Sequence, residues 1–266
     1  MKKLQYLSNK LRFEICKMSN SANAAHLGSS LSCIDILTSV YFGNIFDLDY
    51  VKSDFKKDKF ILSKGHAAAA LYSILAEKKI IPKNKLLQYG KNNSIYEEHP
   101  NSKIQGVDCA TGSLGHGLSF GIGMSISKTL LRNKKNIIVL MSDGECNEGS
   151  VWEAAGFASA QKLDNIITII DNNNWQATGR SNEIFGGNLK KKWAAFGWNT
   201  LIADGHNHLS ILKALKIAKN CKKPCAIIAK TIKGKGIHFM EDNNNWHYRV
   251  PNKHELLTIK KLLKIK

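Results

Sequence analysis

The stretch from residue 136 to residue 179 constrains this chain more than any other. It opens with an uncharged apolar run, Ile137 to Met141, the pattern of a strand buried on both faces of a parallel sheet. The run stops at Ser142-Asp143-Gly144-Glu145. A helical stretch, Val151 to Gln161, follows, and then a second apolar run, Asn165 to Ile170, leading into Asp171-Asn172-Asn173-Asn174-Trp175. This is a strand–helix–strand unit with acidic and amide side chains at both strand ends. Ligands of open parallel sheets bind beyond the carboxyl ends of the strands. Asp143 and Asn173 are therefore expected to meet at one edge.

That edge suits a diphosphate held through a divalent cation. Mg²⁺ takes near-octahedral oxygen ligands, usually one or two from protein with the rest from phosphate and water. Asp143 offers a charged oxygen, Asn173 a neutral one, and the Trp175 carbonyl a third. Gly144 lets the backbone approach phosphate oxygens. An Asp-Gly turn and an Asn-rich loop are each ordinary at strand ends. The two together, at the ends of strands joined by one helix, point to a site.

The rest of the chain alternates in the same way. Leu4, Leu7, Leu11, Ile15 and Met18 fall at helical spacing. A small-residue stretch around His26 enters an apolar helix over 31–42, with Ser29 or Ser30 as its N-cap. A strand at 59–62 runs into Ser63-Lys64-Gly65-His66 and a helix ending near Lys78. Glycines at 112, 115 and 117 make a close-approach loop before a helix over 118–132. Strands at 197–203 and 225–231, a helix at 209–219 and a Lys-rich helix from His254 complete the pattern. The fold class expected is α/β: a doubly wound, mostly parallel sheet with helices on both faces, in one domain over 1–266.

The net charge of +18 invites a polyanionic partner. The lysines, however, are spread over the whole chain and accompany abundant Asn and Ile. No helix-turn-helix, zinc finger or aromatic-interleaved basic motif is present, so no specific nucleic-acid partner is expected. No apolar run approaches the ~20 residues of a membrane span, and the N-terminus lacks a signal-peptide core. A cytoplasmic protein without membrane contact is expected. The six scattered cysteines form no paired zinc pattern and read as buried free thiols.

Several of these segments resemble the transketolase version of the thiamine diphosphate motif. They are Asp143-Gly144 followed at 28 residues by Asn173, with Glu148-Gly149 between; Lys64-Gly65-His66-Ala67; Thr111-Gly112-Ser113-Leu114-Gly115-His116-Gly117; and Trp246-His247 after Lys233-Gly234-Lys235-Gly236. Three positions depart from the pattern: Ser142 and Glu98 stand where glycine is usual, and Leu27 where proline is. The resemblance implies that Asp143, Asn173 and the Trp175 carbonyl hold the metal, magnesium, with calcium or manganese as alternatives. It places Gly112, Leu114 and Gly144 against the cofactor and His66 and His247 at the diphosphate. His26, His99 and His247 would face the reacting substrate, and Glu148 would link paired active sites across a dimer.

The implied reaction moves a two-carbon ketol unit from a ketose phosphate to an aldose phosphate. The motifs for the family's second domain are not among those found, so the resemblance implies a C-terminal partner subunit in a heterotetramer. Other readings are another thiamine diphosphate enzyme, such as a 2-oxo acid dehydrogenase alpha subunit or a deoxyxylulose phosphate synthase, and a non-catalytic binding module.

Overall fold

A computed structural model describes residues 1–48 and 56–265 of the chain. In chain order the elements are α1 (Lys2–Ala22), α2 (Leu27–Phe42), β1 (Lys59–Leu62), α3 (Ala68–Glu77), α4 (His116–Leu130), β2 (Ile137–Ser142), α5 (Gly149–Ala160), β3 (Ile166–Asn172), α6 (Ser181–Phe185), α7 (Leu189–Ala195), β4 (Asn199–Asp204), α8 (His208–Lys219), β5 (Cys225–Lys230) and α9 (Lys253–Leu262). The five strands form one sheet in the order β1-β2-β3-β5-β4, and every pairing is parallel. The expected α/β class holds.

Alternation along each strand divides the core in two. Ile138 and Leu140 of β2, with Ile167 and Ile169 of β3 and Ile227 of β5, face one layer of helices. That layer includes Leu11 and Ile15 of α1, Leu31 and Ile34 of α2, Leu71 and Ile74 of α3, and Ile211 of α8. Ile137, Val139, Met141, Ile166, Ile170 and Ile228 face the other side, against Leu118 and Ile122 of α4, Val151 and Ala155 of α5, and Trp193 of α7. With both faces covered, the central strands have no polar face. That is why their sequences read as continuous apolar runs. No helix among the described residues is long and apolar enough to cross a membrane.

Three local expectations are corrected. α2 begins at Leu27, so Ser29 and Ser30 lie inside its first turn, and the N-cap is His26 in the left-handed region at φ 64° and ψ 20°. The cause is tertiary: the His26 N–H donates to the His247 carbonyl at 2.7 Å, fixing the entry from a distant segment. α6 and α7 were not anticipated, because they are short and most of their residues are exposed. All six cysteines are free thiols, but Cys109 and Cys221 are only partly buried.

Leu140 is fully buried in the middle of the sheet. Leu140→Ala is expected to destabilise the fold by about 2–5 kcal/mol, through lost burial plus a residual cavity. Urea denaturation should show a lower midpoint with an unchanged slope.

Candidate active site

The carboxyl ends of β1, β2, β3 and β5 open on a cavity of about 330 Å³. It is lined by His26, His66, His99, Gly112, Leu114, Gly144, Glu148, Asn173, Trp175 and His247. Every candidate residue but Asp143 therefore borders one space. Asp143 lies one residue before Gly144 and lines the adjoining pocket. The parallel sheet is responsible: strands that begin far apart in sequence end side by side.

Asp143 is buried at the end of β2 and accepts three hydrogen bonds. Gly144 N donates at 3.0 Å, Asn174 N at 2.8 Å and Ser181 Oγ at 2.9 Å. These donors are all neutral, and burial pushes the Asp143 carboxyl up to about 6. A buried acid so placed is suited to an added cation. Asn173, also buried, turns its Oδ1 to the Trp175 N–H at 3.0 Å and its Nδ2 to Ser32 Oγ at 3.2 Å. The loop between passes through Asn174 at φ 63°.

Four imidazoles from four segments ring the cavity. The His26 ring centroid lies 5.7 Å from that of His66, 5.9 Å from His99 and 5.1 Å from His247. Burial lowers the pKa of His26, partly offset by the Glu98 carboxylate 3.6 Å away. Burial, with Lys64 beside it, holds His66 well below its ordinary value. Burial and then Lys233 bring His247 down to about 4. At neutral pH these three rings are neutral. Lys233 Nζ lies 3.1 Å from His247 Nδ1. An ammonium only donates, so Nδ1 accepts and Nε2 carries the hydrogen.

Beneath the cavity are buried groups that sequence reading missed. Lys64 and Asp171, both without solvent exposure, form an ion pair. Burial alone would lower the Lys64 pKa, but Asp171 raises it. Glu145, equally buried, accepts from Ser63 Oγ, from Gly115 N at 2.9 Å and from Ser142 N at 3.3 Å. It thereby ties the glycine-rich loop to the ends of β1 and β2. Ser142, where glycine is usual, accepts from Glu145 N at 3.1 Å and so caps the turn it occupies. Each of these residues stood inside a motif already noted, next to one with a more obvious role.

Two glycines are required by close approach. A Cβ on Gly112, at φ 150°, would lie 2.9 Å from the His99 ring; one on Gly115, at φ 85°, would lie 2.4 Å from Ser150 Oγ. At Gly144 a Cβ would meet the Gln176 side chain at 2.8 Å, so glycine there also makes room for Gln176. Glu148 is exposed at the N-cap of α5. His206 and His208 bond Asp35, Ser39 and Ser8 and serve the fold.

The thiamine diphosphate binding domain of transketolase, as a family pattern, matches residues 4–265. The chain belongs to that family. It is 37% identical over 250 residues to one of the separately encoded subunits of an apulose-4-phosphate transketolase, from Phocaeicola vulgatus, covering 93% of this chain and 89% of that one. It is 40% identical over 241 residues to the protein of the same name from Actinobacillus succinogenes, covering 89% and 87%. Against human transketolase the identity is 38% over 257 residues, but only 40% of that longer chain is spanned. Among solved structures, transketolase from Campylobacter jejuni superposes with a TM-score of 0.87 at 29% identity, covering 99% of this chain and 46% of that one. The Leishmania mexicana enzyme has a TM-score of 0.91 at 22% identity, a likeness of fold.

The residues of the site fit the family's cofactor. Among the described residues, His26 Nδ1, Asn147 Nδ2 and Gln176 Nε2 are buried without a hydrogen-bond partner, and all three residues line the cavity. Asp143 brings a hard oxygen whose hydrogen bonds all come from neutral groups.

His247 is expected to stay neutral down to about pH 5 in an NMR titration. Between about 6.5 and about 4 the folded imidazole binds fewer protons than the unfolded one, so its effect is to lower folding stability as pH falls through that window. Lys233→Met should raise the His247 pKa. A His247 protonated at pH 6 in the unaltered chain would contradict this reading.

Proposed function

We propose that this chain is the thiamine diphosphate-binding subunit of a two-chain transketolase. It would act with a C-terminal partner to move a two-carbon ketol unit between sugar phosphates. The observation that carries the reading is the meeting of Asp143 and Asn173 beside a cavity ringed by His26, His66, His99 and His247. The chain spans most of two relatives whose names mark them as one subunit of an enzyme, and under half of the longer transketolases.

In this reading Asp143, Asn173 and the Trp175 carbonyl hold Mg²⁺ against the diphosphate, with His66 and the Gly112, Leu114 and Gly144 segments beside it. Thiamine diphosphate, when bound, supplies a carbon acid whose carbanion can carry a ketol unit. His26, His99 and His247 hydrogen-bond the hydroxyl and carbonyl oxygens of the substrate and relay protons. Neutral imidazoles suit that work, being able to donate and accept at neutral pH. Glu148, at the cavity mouth on α5, is the acid placed to communicate with a second active site.

The acid that serves the aminopyrimidine comes from the partner. The buried acids of this chain are engaged: Asp143 at the cation, Asp171 with Lys64, and Glu145 with Ser63 and Gly115. The test is ketol transfer from xylulose 5-phosphate to ribose 5-phosphate, with apulose 4-phosphate as a second donor because two relatives carry its name. The chain alone with Mg²⁺ and thiamine diphosphate should be inactive, and activity should appear on adding the C-terminal chain. Robust turnover by this chain alone would overturn the two-chain reading. In the assembled enzyme, Ala at His26, His99 or His247 should lower turnover roughly 10²–10⁴-fold.

A further inference from the structure

Ser32 sits on α2 with no solvent exposure, directly beneath Asn173. Its hydroxyl has three polar neighbours. Asp171 Oδ2 is 2.5 Å away, the Ser29 carbonyl oxygen 3.0 Å and Asn173 Nδ2 3.2 Å. The first two only accept. Asp171 is the carboxylate partner of Lys64, and the Ser29 carbonyl itself takes a hydrogen bond from Lys64 Nζ at 3.1 Å. The single hydroxyl hydrogen of Ser32 is therefore committed to that side. Toward Asn173 the hydroxyl has only a lone pair to offer.

We propose that Ser32, held by the Asp171–Lys64 pair, is a positioning residue that sets which way the Asn173 amide faces. Its lone pair requires the NH₂ end of the amide, so Oδ1 turns the other way. There Oδ1 accepts the Trp175 N–H at 3.0 Å and keeps its second lone pair for the cation. A flipped amide would aim two N–H donors at a divalent cation and two acceptors at each other across Ser32. Thr231 Oγ1 donates to the other oxygen of Asp171, so the carboxylate that anchors the relay is itself held from β5. The inference deepens the reading of Asp143 and Asn173 as cation ligands and rests on it.

Groups that orient a metal ligand are typically worth about 10–100-fold in metal affinity. The experiment titrates Mg²⁺ at saturating thiamine diphosphate into the native assembly, purified through a tag on this chain, with binding followed by calorimetry. Ser32→Ala should weaken Mg²⁺ binding by about 10–100-fold. In an Asn173→Asp background there is no amide to flip, and the same substitution should then cost less than about threefold. In the metal-free chain, NMR should show the Asn173 side-chain NH₂ protons exchanging faster once Ser32 is Ala. Wild-type Mg²⁺ affinity in Ser32→Ala would overturn the proposal, as would an equal loss in the Asn173→Asp background. Asp143→Asn is the control. If it too bound Mg²⁺ like wild type, the cation reading would fall and the relay with it.

Discussion

The buried pair of Lys64 and Asp171 is the interaction on which the rest of the site depends. It joins the segment after β1 to the end of β3, where the ends of parallel strands would otherwise present only backbone groups. Taking both charges out of water is costly, and the pair stands because each charge has further partners. Lys64 also donates to the Ser29 carbonyl, and Asp171 also accepts from Ser32 and Thr231. Segments that diverge over most of the sequence are thus fixed to a common point. Losing one member would leave an uncompensated buried charge, a more damaging change than losing both.

Around that point the charges are graded. Asp171 is neutralised within the chain, whereas Asp143 meets only neutral donors and is raised to about 6 by burial. One acid builds the floor, and the other is left for a cation from outside. The imidazoles follow the same logic. Burial, reinforced by Lys64 at His66 and by Lys233 at His247, keeps them neutral beside a site that is to hold a diphosphate. Rings in that state act through directed hydrogen bonds rather than net charge.

Much of this was legible in the sequence, and what was not has physical causes. Asp143 and Asn173 could be brought together on paper because parallel strands end at one edge, whatever the helices do. Asp171 could not be valued in the same way. It shares a side of β3 with Asn173, yet its worth lies in contacts with Ser32, Lys64 and Thr231, which are 139, 107 and 60 residues away in the chain. Periodicity carries no information about such partners. The start of α2 was misplaced for the same reason: serines at 29 and 30 have cap chemistry, but a hydrogen bond from His26 to His247 decides the boundary. The departure at Ser142 became intelligible only once its hydroxyl was seen to cap the turn at Glu145. The departure at Glu98 places a carboxylate near His26, an arrangement that the usual glycine could not make.

The central claim is that Asp143 and Asn173 together hold a divalent cation at this edge of the sheet. Crystals of the protein grown with Mn²⁺ and thiamine diphosphate, with data collected at the manganese absorption edge, test it most directly. The account predicts a strong anomalous peak roughly 2–2.6 Å from one oxygen of Asp143 and from Asn173 Oδ1, the range of hard-cation–oxygen bonds. A peak bound elsewhere on the chain, or well-ordered cofactor with no peak between these two residues, would contradict it.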